Sequence, residues 1–538
     1  MQDTWNFNPR LTLTYGVRID SAKVGTTPLR NDAAAAPMVA GSISGTTVTR
    51  QSGGFGLDNT RTIDGQQLVQ PRVGFNYRLD TTRATQIRGG AGLFQGAAAT
   101  VWMSNPFSNP GVATRIIGCG NSGLPACATT GGLYSPNPDT QPTNFGGTPP
   151  AANVDFLDPS LRQPSIWKSN LAFETELPWG GLVFGAEYLY TKNRDSIYYK
   201  HLNLGGATKI GTDGRELYYT PQSYNPACWT ATGGTVTSGA VCGTFRARAE
   251  SNPLYNDVLN AIKTDKGHGN LVTASLSKPM SKGFAWSVSY TRTDATEVSP
   301  LTSSVSRSNW AGRSVFNPNE EVASNSSYLV KDRVNAQLSW EHRFFGTYKT
   351  RFGAFFEGRK GKPYSWTVNN DLNGDGLGGN DLMYIPKAMG SGDVLFFGDT
   401  ATSHANEQRF WDIVNADKDL RNGAGTVLKR NGSFAPWTNS IDMRISQEVP
   451  GLWKNNKGTI ALDFFNVGNM INKRWGRIPE VGFQSNGGQA RSFVDFAGLD
   501  PATGKYIYNV RPSVETIDLR QVKGESQWAM QVTLRYEF

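Results

Sequence analysis

From Trp528 to the terminal Phe538, every second residue is large and apolar: Trp528, Met530, Val532, Leu534, Tyr536 and Phe538. From Gln531 onward the residues between them are polar. Strict alternation over roughly ten residues is the period of a strand with one apolar face, at the length of a strand that crosses a bilayer. The pattern recurs upstream. Leu11, Leu13, Tyr15, Val17 and Ile19 alternate with Thr12, Thr14, Gly16, Arg18 and Asp20. Val73, Phe75, Tyr77 and Leu79 alternate with polar or small residues, and so do Phe284, Trp286, Val288 and Tyr290. Further repeats are Val334, Ala336, Leu338 and Trp340, then Ile441, Met443 and Ile445. One face suits lipid, and the other, carrying both signs of charge, suits a wet or filled lumen.

Brief connections fall at Asn8–Arg10, Asp80–Arg83, Pro178–Gly181, Pro279–Gly283, Phe345–Tyr348 and Val449–Lys457, most of them rich in Pro, Gly, Asn or Asp as hairpins require. Between them lie long stretches of low hydrophobicity at about 21–69, 95–164, 193–266, 295–325, 361–436 and 469–525. Loops of that length are rare in compact soluble domains. Short turns on one side and long loops on the other are the layout of an outer-membrane barrel, with the loops extracellular. The fold expected is all-β, a transmembrane antiparallel β-barrel. Counting back from Phe538 gives about thirteen spanning strands, an odd number that does not close as a single-chain bacterial barrel. Residues 1–538 are therefore expected to form the C-terminal part of a larger barrel.

Composition supports this reading. Apolar residues make up only 38% of 538, while glycine (60) and aromatics (11%) are abundant. That is little for several soluble cores and enough for strands with one apolar face. No apolar run reaches the roughly eighteen residues of a transmembrane helix. The net charge of +9 is spread without a basic patch, so no nucleic-acid partner is expected. No signal peptide is visible in the sequence, which opens in strand-like residues, and an exported barrel requires one, so a fragment of a longer protein is expected.

The cysteines form two local couples in Gly/Ser/Thr/Pro-rich segments, with no CxxC spacing. Disulfides Cys119–Cys127 and Cys228–Cys242 are expected, each closing a short extracellular loop in an oxidising compartment. The segment Asp371-Leu-Asn-Gly-Asp-Gly has oxygen side chains at positions one, three and five and glycine at six, the front half of a calcium loop. Leu382 occupies the twelfth position in place of the usual Glu, and Asp381 is its nearest substitute. The expected ligands are Asp371, Asn373, Asp375, Asp381 and the Leu377 carbonyl, holding a structural Ca²⁺ with no catalytic role. A short helix is expected over Ala405–Leu420, stopped near Asn422-Gly423, its sparse apolar set (Phe410, Trp411, Ile413, Val414, Leu420) packing on a loop or lumen wall. Enzyme readings find no support: His201, His268, His342 and His404 are scattered and no HExxH or GxSxG occurs. Ser165 and Lys168 have SxxK spacing, but on a strand such residues face opposite sides.

Several segments resemble a known family. Gln2-Asp3-Thr4-Trp5 followed by Leu11-Thr12-Leu13-Thr14-Tyr15-Gly16-Val17-Arg18 is similar to the mid-barrel hairpin of TonB-dependent receptors. Gln70–Tyr77, Leu177–Gly181, Glu187–Lys192 and Asp463–Asn469 resemble the Oar-like group, whose members carry a carboxypeptidase-regulatory-like domain before the plug. Phe355–Arg359 is a weaker match, with Phe356 where the group more often has tyrosine. The order of these motifs covers nearly the whole chain, loops least. The resemblance implies a 22-stranded barrel of which this chain supplies the last thirteen strands, with plug, regulatory-like domain and signal peptide outside it. It also implies energised transport of an unidentified substrate across the outer membrane. The implied partners are outer-membrane lipids, the inner-membrane TonB complex reached through the plug, and the outer-membrane assembly machinery. That machinery would read the alternating C-terminal strand Met530, Val532, Leu534, Tyr536 and Phe538. A surface adhesion or protein-secretion component on the same barrel, and a passive porin, are the alternative functions.

Overall fold

The computed structural model describes residues 1–96, 100–113, 135, 137–140, 150–236, 241–453, 456–482 and 489–538. Thirteen strands follow one another along a single antiparallel path. They are β1 (Gln2–Asn8), β2 (Leu11–Ser21), β3 (Gln67–Arg78), β4 (Thr85–Gln95), β5 (Ser165–Glu176), β6 (Val183–His201) and β7 (His268–Ser281). The path continues with β8 (Phe284–Glu297), β9 (Asp332–Phe345), β10 (Tyr348–Arg359), β11 (Thr438–Pro450), β12 (Lys457–Phe465) and β13 (Ala529–Glu537). Each pairs with its neighbour in sequence, as in Leu13 opposite Phe75 and Leu534 opposite Ile460. Three further strands attach beside this path and bring the sheet to sixteen. All six expected hairpin turns connect neighbours, and the described parts of the six long stretches lie at the opposite end.

Register makes the two faces consistent across strands. Tyr15 sits opposite Val73, Leu171 opposite Tyr188, Val272 opposite Tyr188 on its other side, and Ile441 opposite Phe356. A side-chain period of two then puts the apolar set of every strand on one face. That face is exposed: Val73, Leu171, Val272, Ile460, Met530, Val532 and Leu534 all lie open, Leu534 at 76%. Such a surface suits hydrocarbon, not water. Tryptophan and phenylalanine crowd the turn end, at Trp179, Trp340, Phe344, Phe345 and Trp453, while Trp437, Trp475 and Trp528 stand at the loop end. Two such collars are the aromatic girdles of a membrane-spanning β-sheet.

One boundary differs from expectation. The loop expected from residue 193 begins later, because β6 runs 19 residues, well beyond the roughly ten a bilayer needs. Its last part leaves the main path to pair with Tyr255–Thr264, which pairs in parallel with Ala152–Leu157. The alternation ends near Asn193, but β-branched and aromatic residues (Ile197, Tyr198, Tyr199) keep the chain extended and buried.

The larger surprise lies in the loops. The main hydrophobic core belongs to them and not to the sheet. Leu217, Tyr219, Trp229, Tyr364, Trp366, Phe410, Phe493, Val494, Phe496, Tyr506 and Tyr508 form one buried cluster. A second gathers Met103, Leu161, Ile197, Tyr199, Leu259 and Trp310. The expected helix packs into the first cluster through Phe410, Trp411, Val414 and Leu420, but as two pieces, α1 (Ala405–Ala416) and α2 (Lys418–Asn422). Asp417 interrupts it in extended conformation, its carboxylate accepting from the amides of Asp419 and Leu420. A side chain that caps a new helix start competes with helix continuation.

Candidate functional site

The polar face of the sheet carries charge in organised form. Beginning near the turn end, Glu341 on β9 accepts from Lys349 (2.7 Å) and Arg351 (2.8 Å) on β10. Arg351 reaches Glu448 on β11 at 3.1 Å, and Glu448 meets Lys457 on β12 at 3.3 Å. Lys457 continues to Glu537 on β13 at 3.4 Å, which also meets Arg535 at 3.3 Å. Further up, Arg333 and Arg359 share Glu357, and Arg444 pairs with Asp463. Single exposed pairs contribute little to stability, about 0–1 kcal/mol. Their significance is the environment they demand: a charge on the hydrocarbon side would cost several kcal/mol, so this face requires water or a polar filling.

At the loop end of β2 a cavity of about 600 Å³ opens between the sheet and the loops. Arg18, Asp20 and Lys23 supply its charges, and Ile63, Met103 and Phe107 its apolar wall. Arg18 is held at 2.8 Å by Asp20, which also accepts from Gln70. Size and mixed lining match the range of small-ligand pockets, roughly 300–1,000 Å³.

The Asp-rich loop is buried within the loop core. Asp371 accepts the amides of Gly374 (2.6 Å) and Gly376 (2.9 Å), and Asp375 accepts the amide of Leu377 (2.8 Å). Asn373 accepts the amide of Asp375, and Gly374 and Gly376 take positive φ to let the chain bend. Asp381 accepts the amides of Leu372 and Asn373 and the guanidinium of Arg215 at 3.1 Å. Burial, then repulsion from Asp375 and Asp381, pushes the Asp371 carboxyl well above the usual carboxylate range. Burial also raises Asp375 and Asp381, the latter restrained by Arg215. The Oδ1 atom of buried Asn380 has no hydrogen-bond partner among the described residues. Among the described residues no three His, Cys, Asp or Glu side chains stand close enough together to hold a metal ion. The structure thus brings Asp371, Asn373, Asp375 and Asp381 into one loop closed by its own backbone amides.

Cys228 and Cys242 are joined, with Cα atoms 5.5 Å apart, and both are buried in the loop core. Closing a loop of this size stabilises by about 3 kcal/mol in the chain-entropy account. Cys119 and Cys127 lie outside the described residues. On β13, Met530, Val532, Leu534 and Tyr536 stand exposed on the apolar face, with Phe538 beyond the strand. The Tyr536 hydroxyl accepts from the Leu452 amide at 3.0 Å, tying the last strand to the turn before β12.

Sequence reasoning missed Arg215. It is fully buried, joins three loop segments through Asp213, Phe316 and the adjacent pair Asp381 and Leu382, and lies over the Phe316 ring. Its partner Asp381 is 166 residues away. The only signal in the sequence is the local Asp213-Gly-Arg215 turn.

The family model described as an outer membrane beta barrel domain matches residues 1–493. Among solved structures, a mutant of the ferric enterobactin receptor (PfeA) of Pseudomonas aeruginosa is similar at 11% identity and a TM-score of 0.37, over 87% of this chain and 38% of that one. The outer membrane transporter YddB of Escherichia coli is similar at 8% identity and a TM-score of 0.40, over 98% of this chain and 43% of that one. The chain spans about two fifths of the length of these structures. No curated protein matches.

Proposed function

As the chain belongs to the outer membrane β-barrel domain family and sits in the bacterial outer membrane, we propose that it forms the last thirteen strands of a 22-stranded TonB-dependent receptor barrel of the Oar-like kind. In this reading the full barrel moves an unidentified substrate across the outer membrane, energised by the inner-membrane TonB complex through a plug. The observation that carries it is the ordered, two-faced sheet with six tight turns at one end and folded loops at the other. Among the described residues β1 pairs only with β2 and β13 only with β12, and an unpaired ladder edge is costly in hydrocarbon. Further strands covering both edges remove that cost. The paired charges of the polar face suit contact with a plug, and the cavity at Arg18 and Lys23 is the candidate substrate vestibule. The alternating strand through Phe538 serves as the assembly signal.

Orientation and energisation are tested together. Ile210→Cys should react with a membrane-impermeant maleimide on intact cells, and Ser281→Cys only after the outer membrane is permeabilised; reversed labelling overturns the topology. Uptake lost on deleting the gene should also be lost on collapsing the inner-membrane proton gradient. Uptake that persists without the gradient identifies a passive porin, and lost surface attachment with unchanged uptake identifies an adhesin.

The loop Asp371–Asp381 is proposed as a structural calcium loop. Of the three carboxylates Asp371, Asp375 and Asp381, Asp381 alone meets a guanidinium among the described residues, and the Asn380 oxygen adds another acceptor. A divalent cation suits such oxygens at roughly 2.3–2.6 Å. Chelator should quicken proteolysis within this loop, and Asp371→Ala/Asp375→Ala should abolish the response to added calcium. Identical cleavage with and without chelator removes the ion.

A further inference from the structure

On the apolar side, at the loop end, three cations follow one another closely in sequence. Lys473, Arg474 and Arg477 follow the short helix Val467–Ile471, and among the described residues none of them makes an ion pair. Arg474 and Arg477 line a groove of about 410 Å³ together with Trp437, Trp475, Asn439, Ile441 and Phe356. Phe356 and Ile441 pair across β10 and β11 on the apolar face. The groove therefore opens toward lipid. Counting from the turn at Pro450, a span of roughly ten residues ends near Ser440. Trp437 and Asn439 stand just above, at headgroup depth.

The groove is built, not incidental. Asn466, fully buried and at positive φ, donates to the carbonyls of Gly476 (2.9 Å) and Glu525 (2.8 Å). Asn469 donates to the carbonyls of Lys473 (3.2 Å) and Trp475 (2.9 Å), and Arg477 donates to Lys473 at 2.6 Å. Trp437 donates to Asn439 at 2.7 Å, its ring lying over Gly358, where a Cβ would come within 3.2 Å of the indole nitrogen. Exposed Met470 and Ile471 border the same segment. Cations held beside tryptophan and apolar tips at an interface match a phosphate attached to acyl chains.

We propose that this groove binds the phosphorylated headgroup of an outer-leaflet lipopolysaccharide, with Arg474 and Arg477 on phosphate and Trp437 and Trp475 against the sugar–acyl boundary. Arginine's planar fork suits phosphate oxygens, and the two groove-lining guanidiniums complement a bis-phosphorylated sugar. The proposal rests on the loops facing outward, which the maleimide labelling tests separately; binding in detergent does not depend on orientation.

The test uses full-length protein extracted from its native outer membrane in mild detergent. Lipopolysaccharide titrated onto delipidated protein should bind at least tenfold more weakly to Arg474→Gln/Arg477→Gln, with heat-modifiable migration unchanged. Arg474→Lys/Arg477→Lys should recover part of the affinity. Phosphatase-treated lipopolysaccharide should bind the unaltered protein as weakly as intact lipid binds the glutamine variant. Equal binding by the glutamine variant, or by the phosphatase-treated lipid, overturns the site. Displacement of bound lipid by millimolar inorganic phosphate alone overturns the lipid as its occupant and leaves a free-anion site.

Discussion

Arg215→Ala should unfasten the loop core while leaving the sheet intact. Arg215 is 0% exposed and its guanidinium contacts Asp381, Asp213 and the carbonyls of Phe316 and Leu382. Asp213 in turn accepts the Tyr506 hydroxyl at 2.6 Å, linking the charge cluster to the aromatic core. Removing one partner of a buried ion pair strands the other charge, at a cost of about 3–5 kcal/mol. Arg215→Met keeps most of the volume and should fare little better, because the unpaired carboxylate, not a void, is the fault. Amide exchange should quicken across 371–385 and 506–510, and the protection of β9–β12 should stay as it was. Unchanged exchange in the loops would show that Arg215 does not hold them together.

Leu534→Arg should weaken the sheet where it meets lipid. Leu534 lies on the apolar face opposite Ile460, between the turn-end collar and the middle of the span. Charge on that face costs about 2–4 kcal/mol at the midplane and about 0–1 near the interface, so about 2 kcal/mol is expected. Thr533→Arg, on the polar face opposite Ala461, should cost close to nothing. Denaturant unfolding of the full-length protein in lipid vesicles measures both, and equal effects of the two arginines would refute the assignment of faces. Deleting Phe538 should act differently. One terminal side chain buries little, so finished stability should hold while the rate of surface assembly falls.

The sheet was legible because its rules are local. A turn needs its own Pro, Gly, Asn or Asp, and a lipid-facing strand needs its own alternation, so β2, β3, β8, β9, β11 and β13 announce themselves in short windows of sequence. The loop core was not legible, for the opposite reason. Tyr219, Trp366, Phe410, Phe496 and Tyr508 each come from a different irregular stretch with no period to reveal a shared destination. Low average hydrophobicity then hides a core assembled from a few large aromatics. The helix Ala405–Leu420 was visible in outline, but its break at Asp417 depends on a side chain choosing a cap. In the Asp-rich loop, spacing showed which oxygens are close along the chain; that Arg215 claims Asp381 is a contact no local pattern carries.

A core shared among loops far apart in the chain also constrains how their exposed surface can change. Epitopes resting on Trp229, Phe410 or Tyr508 cannot be altered one at a time, since each change must be accommodated by neighbours encoded hundreds of bases away. Variation between related chains should therefore concentrate at exposed rims such as Thr400–Ser403.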